Sequence, residues 1–182
     1  MASIPTVSFS HVGIYVRDLD TMVRFYTDLL GLHMTDRGKL PLPGEPRIVF
    51  LSRTPREHHQ IALVTGRGEG ASTVNQLSFD VASLADLRRL HAVVQESAPG
   101  PTFAINHGIS WSVYTHDPEG NMLELYVHSP WYVPQPIVDP LDLSQSDDEI
   151  VRGTEAAYKE RPGFQPIAQW QDAFERQLHA TA

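Results

Sequence analysis

The 182-residue sequence contains no cysteine, which excludes disulfides, thiolate zinc sites, iron–sulfur clusters and a cysteine nucleophile. Any metal must therefore be held by His, Asp, Glu or an amide oxygen. Positive charge is also scarce. Fourteen Lys and Arg stand against 22 Asp and Glu, a formal net charge of −8, which offers no electrostatic footing for nucleic acid or anionic membranes. No apolar run approaches the ~20 residues a spanning helix needs, and the opening MASIPTVSF lacks a basic stretch followed by an apolar one. The expectation is a soluble cytoplasmic protein with no nucleic-acid or membrane partner. What is present is an apolar content of 41%, enough for a chain of this length to bury about 70% of its unfolded surface in one compact domain. Nine histidines point toward chemistry, because imidazole both ligates metals and titrates near neutral pH.

The chain repeats internally. HVGIYVRDL from His11 aligns with QLSFDVASL from Gln76 at a constant offset of 65 residues, pairing Val12 with Leu77, Ile14 with Phe79, Val16 with Val81 and Leu19 with Leu84. Each copy reads as an alternating strand that meets a helix N-cap, Asp18 or Ser83. The helices that follow are expected to run to about Leu30 and Ser97. Leu19, Met22, Val23, Tyr26 and Leu30 form one apolar stripe, as do Leu84, Leu87, Leu90 and Val94. Gly31 and Gly100 stand where helix stops belong. Three further strand-like runs follow each helix: GLHMTDR, RIVFLSR and HQIALVT, then FAI, SWSVYTH and MLELYVH. The turn Asp117–Asn121 joins the last two. The fold class expected is α+β, two βαβββ modules forming a half-barrel pair, with module one at 7–66 and module two at 73–128.

After His128 the character changes. SPWYVPQPIVDPLDLSQS contains four prolines and is expected to run extended over the surface. Ser146 with Glu149 reads as a capping box opening a helix to about Lys159, and a last helix is expected over Ile167–His179. This 129–182 extension carries Trp131, Tyr132, Phe164, Trp170 and Phe174, which suit packing against the chain itself or a partner subunit. GRGEGAS, from Gly66, lacks the lysine and the setting of a phosphate loop and reads as a linker.

His11 opens the first strand of module one, Gln76 takes the equivalent place in module two, and Glu124 lies on the last strand. With HVGIYVRDLDTMVRFYTDLLGL and the ending DPEGNMLELY in order, residues 7–128 resemble the vicinal oxygen chelate superfamily, which includes glyoxalase I, bleomycin-resistance proteins, methylmalonyl-CoA epimerase and type I extradiol dioxygenases. The similarity is greatest to one-domain relatives of the extradiol enzymes. That resemblance implies metal ligands at His11, Gln76 and Glu124, an acid/base at His59 in HHQIAL, a hydrogen-bonding tyrosine at Tyr114, and a loop histidine at His107, two residues nearer the tyrosine than the usual pattern. Fe(II) is the metal implied, with Mn(II) or another divalent ion as alternatives. The implied partners are a small aromatic substrate, dioxygen and a second copy of the chain in a homodimer.

Gln76 departs from the two-His, one-carboxylate set that holds Fe(II) in such enzymes; its amide oxygen is a neutral donor better suited to harder cations. The second carboxylate of a glyoxalase-type site is absent, its place taken by Ala62. Three functions are therefore carried forward: ring cleavage of a catechol or related vicinal diol, non-catalytic sequestration of an aromatic molecule, and a metal-dependent isomerase or lyase. Strand alternation would direct only one of His58 and His59 into the cavity, and the A-L continuation selects His59. His33, His91, His116, His128 and His179 read as surface or structural.

Overall fold

The computed structural model describes residues 7–180 and is α+β, with a four-stranded and a five-stranded sheet each carrying a helix. The chain forms two compact units. One comprises the described residues up to Asn75 together with His116–Asn121; the other comprises Gln76–Thr115 and the described residues from Met122 onward.

In the first unit β1 (Val12–Val16) leads into α1 (Leu19–Leu30), followed by β2 (His33–Lys39), β3 (Arg47–Ser52) and β4 (Ile61–Thr65), in sheet order β1-β4-β3-β2. Asp18 caps α1 by accepting from the backbone N–H of Asp20 and Thr21, and Gly31 ends it at φ 62°, a left-handed conformation that glycine adopts without a Cβ penalty. Leu19, Met22, Tyr26 and Leu30 are buried, and burying each such side chain is worth about 1.5–3 kcal/mol. The Tyr26 hydroxyl donates to Asp117 Oδ2 at 3.0 Å, and the same carboxyl accepts from the backbone and side-chain amides of Asn121. Burial first, and the Asp117 charge second, hold the Tyr26 phenol well above its ordinary pKa.

In the second unit β5 (Gln76–Asp80), α2 (Leu84–Ser97), β6 (Phe103–Asn106), β7 (Ser110–His116) and β8 (Met122–His128) repeat the βαβββ pattern. Helix α2 ends at an extended Ala98 cap, so Gly100 does not serve as its stop. The registers reproduce the sequence repeat: Gly13 faces Ala62 across β1 and β4, as Ser78 faces Glu124 across β5 and β8. Ala62 thus occupies in module one the place Glu124 holds in module two.

The extension packs within this second unit. Its elements are β9 (Trp131–Tyr132), β10 (Asp139–Pro140), α3 (Asp147–Tyr158), β11 (Gln165–Pro166) and α4 (Ile167–Ala180), with β10 joined to the edge of β6. The capping box of Ser146 and Glu149 is present. The proline-rich stretch does not simply run over the surface as its composition suggests. Val133 and Ile137 are buried in a cluster with Tyr158, and Arg88 of α2 donates to the carbonyls of Leu143 and Gln145 at 2.9 and 2.7 Å. Buried Thr154 of α3 accepts from Trp111 Nε1 at 2.8 Å and from Asn106 Nδ2 at 2.9 Å. Among the described residues no helix is long and apolar enough to cross a membrane.

Candidate active site

Strand alternation builds the module-two site. Gln76 and Ser78 of β5, Ser112 and Tyr114 of β7, and Glu124 of β8 lie on one face, while Leu77, Leu123 and Leu125 are buried on the other. Glu124 is 8% exposed, and a carboxylate so placed must be paired or hydrogen-bonded. Four side chains meet it. Gln76 Nε2 and Ser78 Oγ each donate to Oε2 at 2.6 Å, and Ser112 Oγ and Tyr114 OH donate to Oε1 at 2.8 and 2.7 Å.

Behind Tyr114 stands His107. Its Nε2 lies 3.0 Å from the Tyr114 oxygen and its Nδ1 2.6 Å from the Ile137 carbonyl. A carbonyl only accepts, so Nδ1 carries a hydrogen. The single phenol hydrogen of Tyr114 cannot serve both Glu124 and His107. Tyr114 thus stands between the Glu124 carboxylate and the His107 ring, within hydrogen-bond distance of both. Burial first, then the hydrogen bond to Glu124 and the Glu124 charge, raise the Tyr114 pKa, so Tyr114 stays a hydrogen-bond donor at neutral pH.

The module-one histidines His11, His58 and His59 group in the other unit. His11 is exposed and lies one residue before β1. The His11 and His59 rings are 4.1 Å apart, and Phe50 lies 4.8 Å from His59. His59 is not in a strand. Ser52 Oγ donates to the carbonyls of Thr54 and Glu57 at 3.0 and 2.9 Å, which turns the chain into a loop, and β4 begins only at Ile61. The alternation argument that set His58 apart from His59 therefore does not apply. His58 is exposed, as expected, but its Nδ1 contacts His59 Nδ1 at 3.0 Å and its Nε2 lies 3.2 Å from Asp36. Desolvation, then the neighbouring His11 and His58 charges, lower the His59 pKa and favour the neutral ring.

Gln76, Glu124, Tyr114 and His107 thus come together in one unit, and His11 with His59 in the other. Ser78 and Ser112 were missed in the sequence; each lies two residues from a selected strand residue, so applying the period of two to Gln76 and Tyr114 would have found both. Among the described residues no three His, Asp or Glu side chains assemble as a metal-holding group. The donor set nevertheless fits a cation that accepts oxygen. Gln76 and Glu124 end side by side, and a half-turn of the amide would place Gln76 Oε1 beside the carboxylate, an arrangement that a cation between the two oxygens would stabilise. Such a pair suits a hard divalent ion better than Fe(II).

The model of the Glyoxalase/Bleomycin resistance protein/Dioxygenase superfamily matches residues 8–125. The chain belongs to this superfamily. Biphenyl-2,3-diol 1,2-dioxygenase 3 of Rhodococcus globerulus is 30% identical over 129 residues, which cover 67% of this chain and 64% of that protein. Biphenyl-2,3-diol 1,2-dioxygenase 2 of the same organism is 27% identical over 128 residues, 67% of this chain and 63% of that one. The match therefore spans a little under two thirds of these relatives' length. Among solved structures, a glyoxylase/bleomycin resistance protein/dioxygenase domain from Frankia is similar at TM-score 0.57 and 23% identity, covering 68% of this chain and 99% of that one. The fosfomycin resistance protein FosX from Listeria monocytogenes is similar at TM-score 0.56 and 14% identity, covering 69% and 96%. These structures establish a shared fold. Members of the superfamily typically depend on a divalent metal.

Proposed function

We propose that the protein is a metal-dependent enzyme that cleaves the ring of a catechol or related vicinal diol in the extradiol manner. The observation that carries this reading is the buried Glu124 carboxylate with Gln76 at its side and Tyr114 and His107 in contact behind it. The two Rhodococcus relatives, named for action on a biphenyl diol, support the substrate class.

Glu124 and the turned amide of Gln76 would hold the metal through oxygen. When bound, the metal would act as a Lewis acid that gathers the diol oxygens and dioxygen. His59, kept neutral by its surroundings, is assigned to take a diol proton near neutral pH. Tyr114 OH is assigned to donate where negative charge develops on a substrate oxygen, and His107 Nε2 to hold the Tyr114 oxygen in place.

Aerobic incubation of Fe(II)- or Mn(II)-loaded protein with a panel of catechols tests this. Dioxygen uptake matched by a ring-opened semialdehyde is expected. Metal-independent binding without turnover would favour sequestration, the reading that Gln76 and Ala62 suit, and anaerobic conversion would favour an isomerase or lyase. Glu124→Ala should lose metal binding while its circular dichroism stays native; unchanged metal content would place the site elsewhere. The homodimer is part of this proposal, and sedimentation of the full chain checks it.

A further inference from the structure

We infer that the proline-rich strap after β8 is a positioning device for His107, with Gln135 as its key residue. This rests on the functional reading above only insofar as it gives His107 a task. The strap meets His107 at both its backbone carbonyl and its ring. The Gln135 side-chain Nε2 donates to the His107 carbonyl at 2.8 Å and to the Val133 carbonyl at 3.1 Å, while its Oε1 accepts from the Ile137 backbone N–H at 3.1 Å. Ile137 is the residue whose carbonyl receives His107 Nδ1–H at 2.6 Å. One amide side chain therefore holds the histidine backbone and the residue that orients its ring.

The contact selects a tautomer. With Nδ1 committed to a carbonyl, Nε2 alone faces Tyr114. The loop is pinned around this point. Ser129 Oγ donates to the Gly108 carbonyl at 2.5 Å, and Gly108, at φ +76°, presses so closely on Val133 and Tyr158 that an added Cβ would lie 2.5 Å from Val133 Cγ1. Val133 and Ile137 are anchored in their own buried cluster, so the strap is a fixed support. Gln135 touches no group assigned to substrate or metal and acts through His107.

Long-range proton–nitrogen NMR of protein labelled with ¹⁵N-histidine tests this without metal or substrate. Wild-type His107 should show a protonated, slowly exchanging Nδ1. Gln135→Ala should move the Nδ1 resonance toward the tautomer average and speed its exchange at unchanged circular dichroism. Gln135→Glu, which keeps an acceptor for Ile137 N–H but loses the donor to His107, should fall between, and it serves equally if the alanine variant does not fold. An unprotonated Nδ1 in the wild type, or a Nδ1 signal unchanged in the folded variants, overturns the inference. If a diol is turned over, Gln135→Ala should lower kcat by up to about 100-fold with KM little changed. The predicted NMR shifts without turnover of any diol would uphold the inference while refuting the proposed function.

Discussion

Replacing Gln76 by histidine should increase metal affinity, and the size of the gain follows from one hydrogen bond. In the structure the Gln76 amide donates to Glu124 Oε2 at 2.6 Å and lies 3.0 Å from Ser78 Oγ. A cation bound at Oε2 must first displace that donor. A hydrogen bond to a charged group contributes about 1.5–3 kcal/mol net, so at 1.4 kcal/mol per tenfold breaking it sets metal binding back by roughly 10- to 150-fold, against which the turned amide oxygen contributes only a neutral ligand. Histidine removes this competition and adds an imidazole lone pair, the ligand type Fe(II) prefers. Isothermal titration with Mn(II), and anaerobically with Fe(II), would measure the change, with the larger gain expected for Fe(II). Gln76→Leu frees the carboxylate but also removes the amide oxygen assigned as a ligand, so it should bind metal more weakly than Gln76→His. If Gln76→His binds Fe(II) no more tightly than the wild type while Glu124 still accounts for the bound metal, the amide does not compete and its assignment as a ligand position fails.

Other expectations follow from the same contacts. Tyr26→Phe removes a donor to buried Asp117 and should lower stability by roughly 1.5–3 kcal/mol in urea denaturation; a loss under half a kcal/mol would show that Asn121 satisfies the carboxyl unaided. Gly108→Ala should destabilise the chain by roughly 2 kcal/mol or more, combining left-handed strain with overpacking, read from thermal unfolding; a neutral effect would contradict the close approach to Val133. Tyr26 and Tyr158 both have raised pKa values, from burial first and then from Asp117 and Asp139. The unfolded chain therefore releases these protons first, so stability holds below about pH 10 and falls as pH rises above it. Urea midpoints between pH 9 and 11 should show that fall, flattened in Tyr158→Phe.

Much of this was legible in the sequence because it depends on local periodicity. The strand-to-helix transitions at Asp18 and Ser83 and the Ser146–Glu149 capping box follow from nearest-neighbour chemistry, and the structure reproduces them. The 65-residue repeat reappears in the registers, where Gly13 and Ser78 face Ala62 and Glu124. What failed were inferences that depend on where a strand begins. His59 was given a strand's alternation, but the Ser52 hydroxyl holds that segment in a loop. Gly100 suggested a helix stop, but α2 had already ended at Ala98. Least legible was the strap's role. Four prolines indicate an extended chain, but not that a glutamine within it grips a loop 28 residues earlier, because such contacts are set by tertiary packing.

The proposed function is the opening of an aromatic diol with dioxygen. The most direct test is to incubate metal-loaded protein with 2,3-dihydroxybiphenyl or catechol under ¹⁸O₂ and take the mass of the product. The account predicts a ring-opened product carrying both labelled oxygen atoms, formed by the wild type and lost in Glu124→Ala. Unlabelled product, or recovery of intact diol from fully metal-loaded protein, would contradict it.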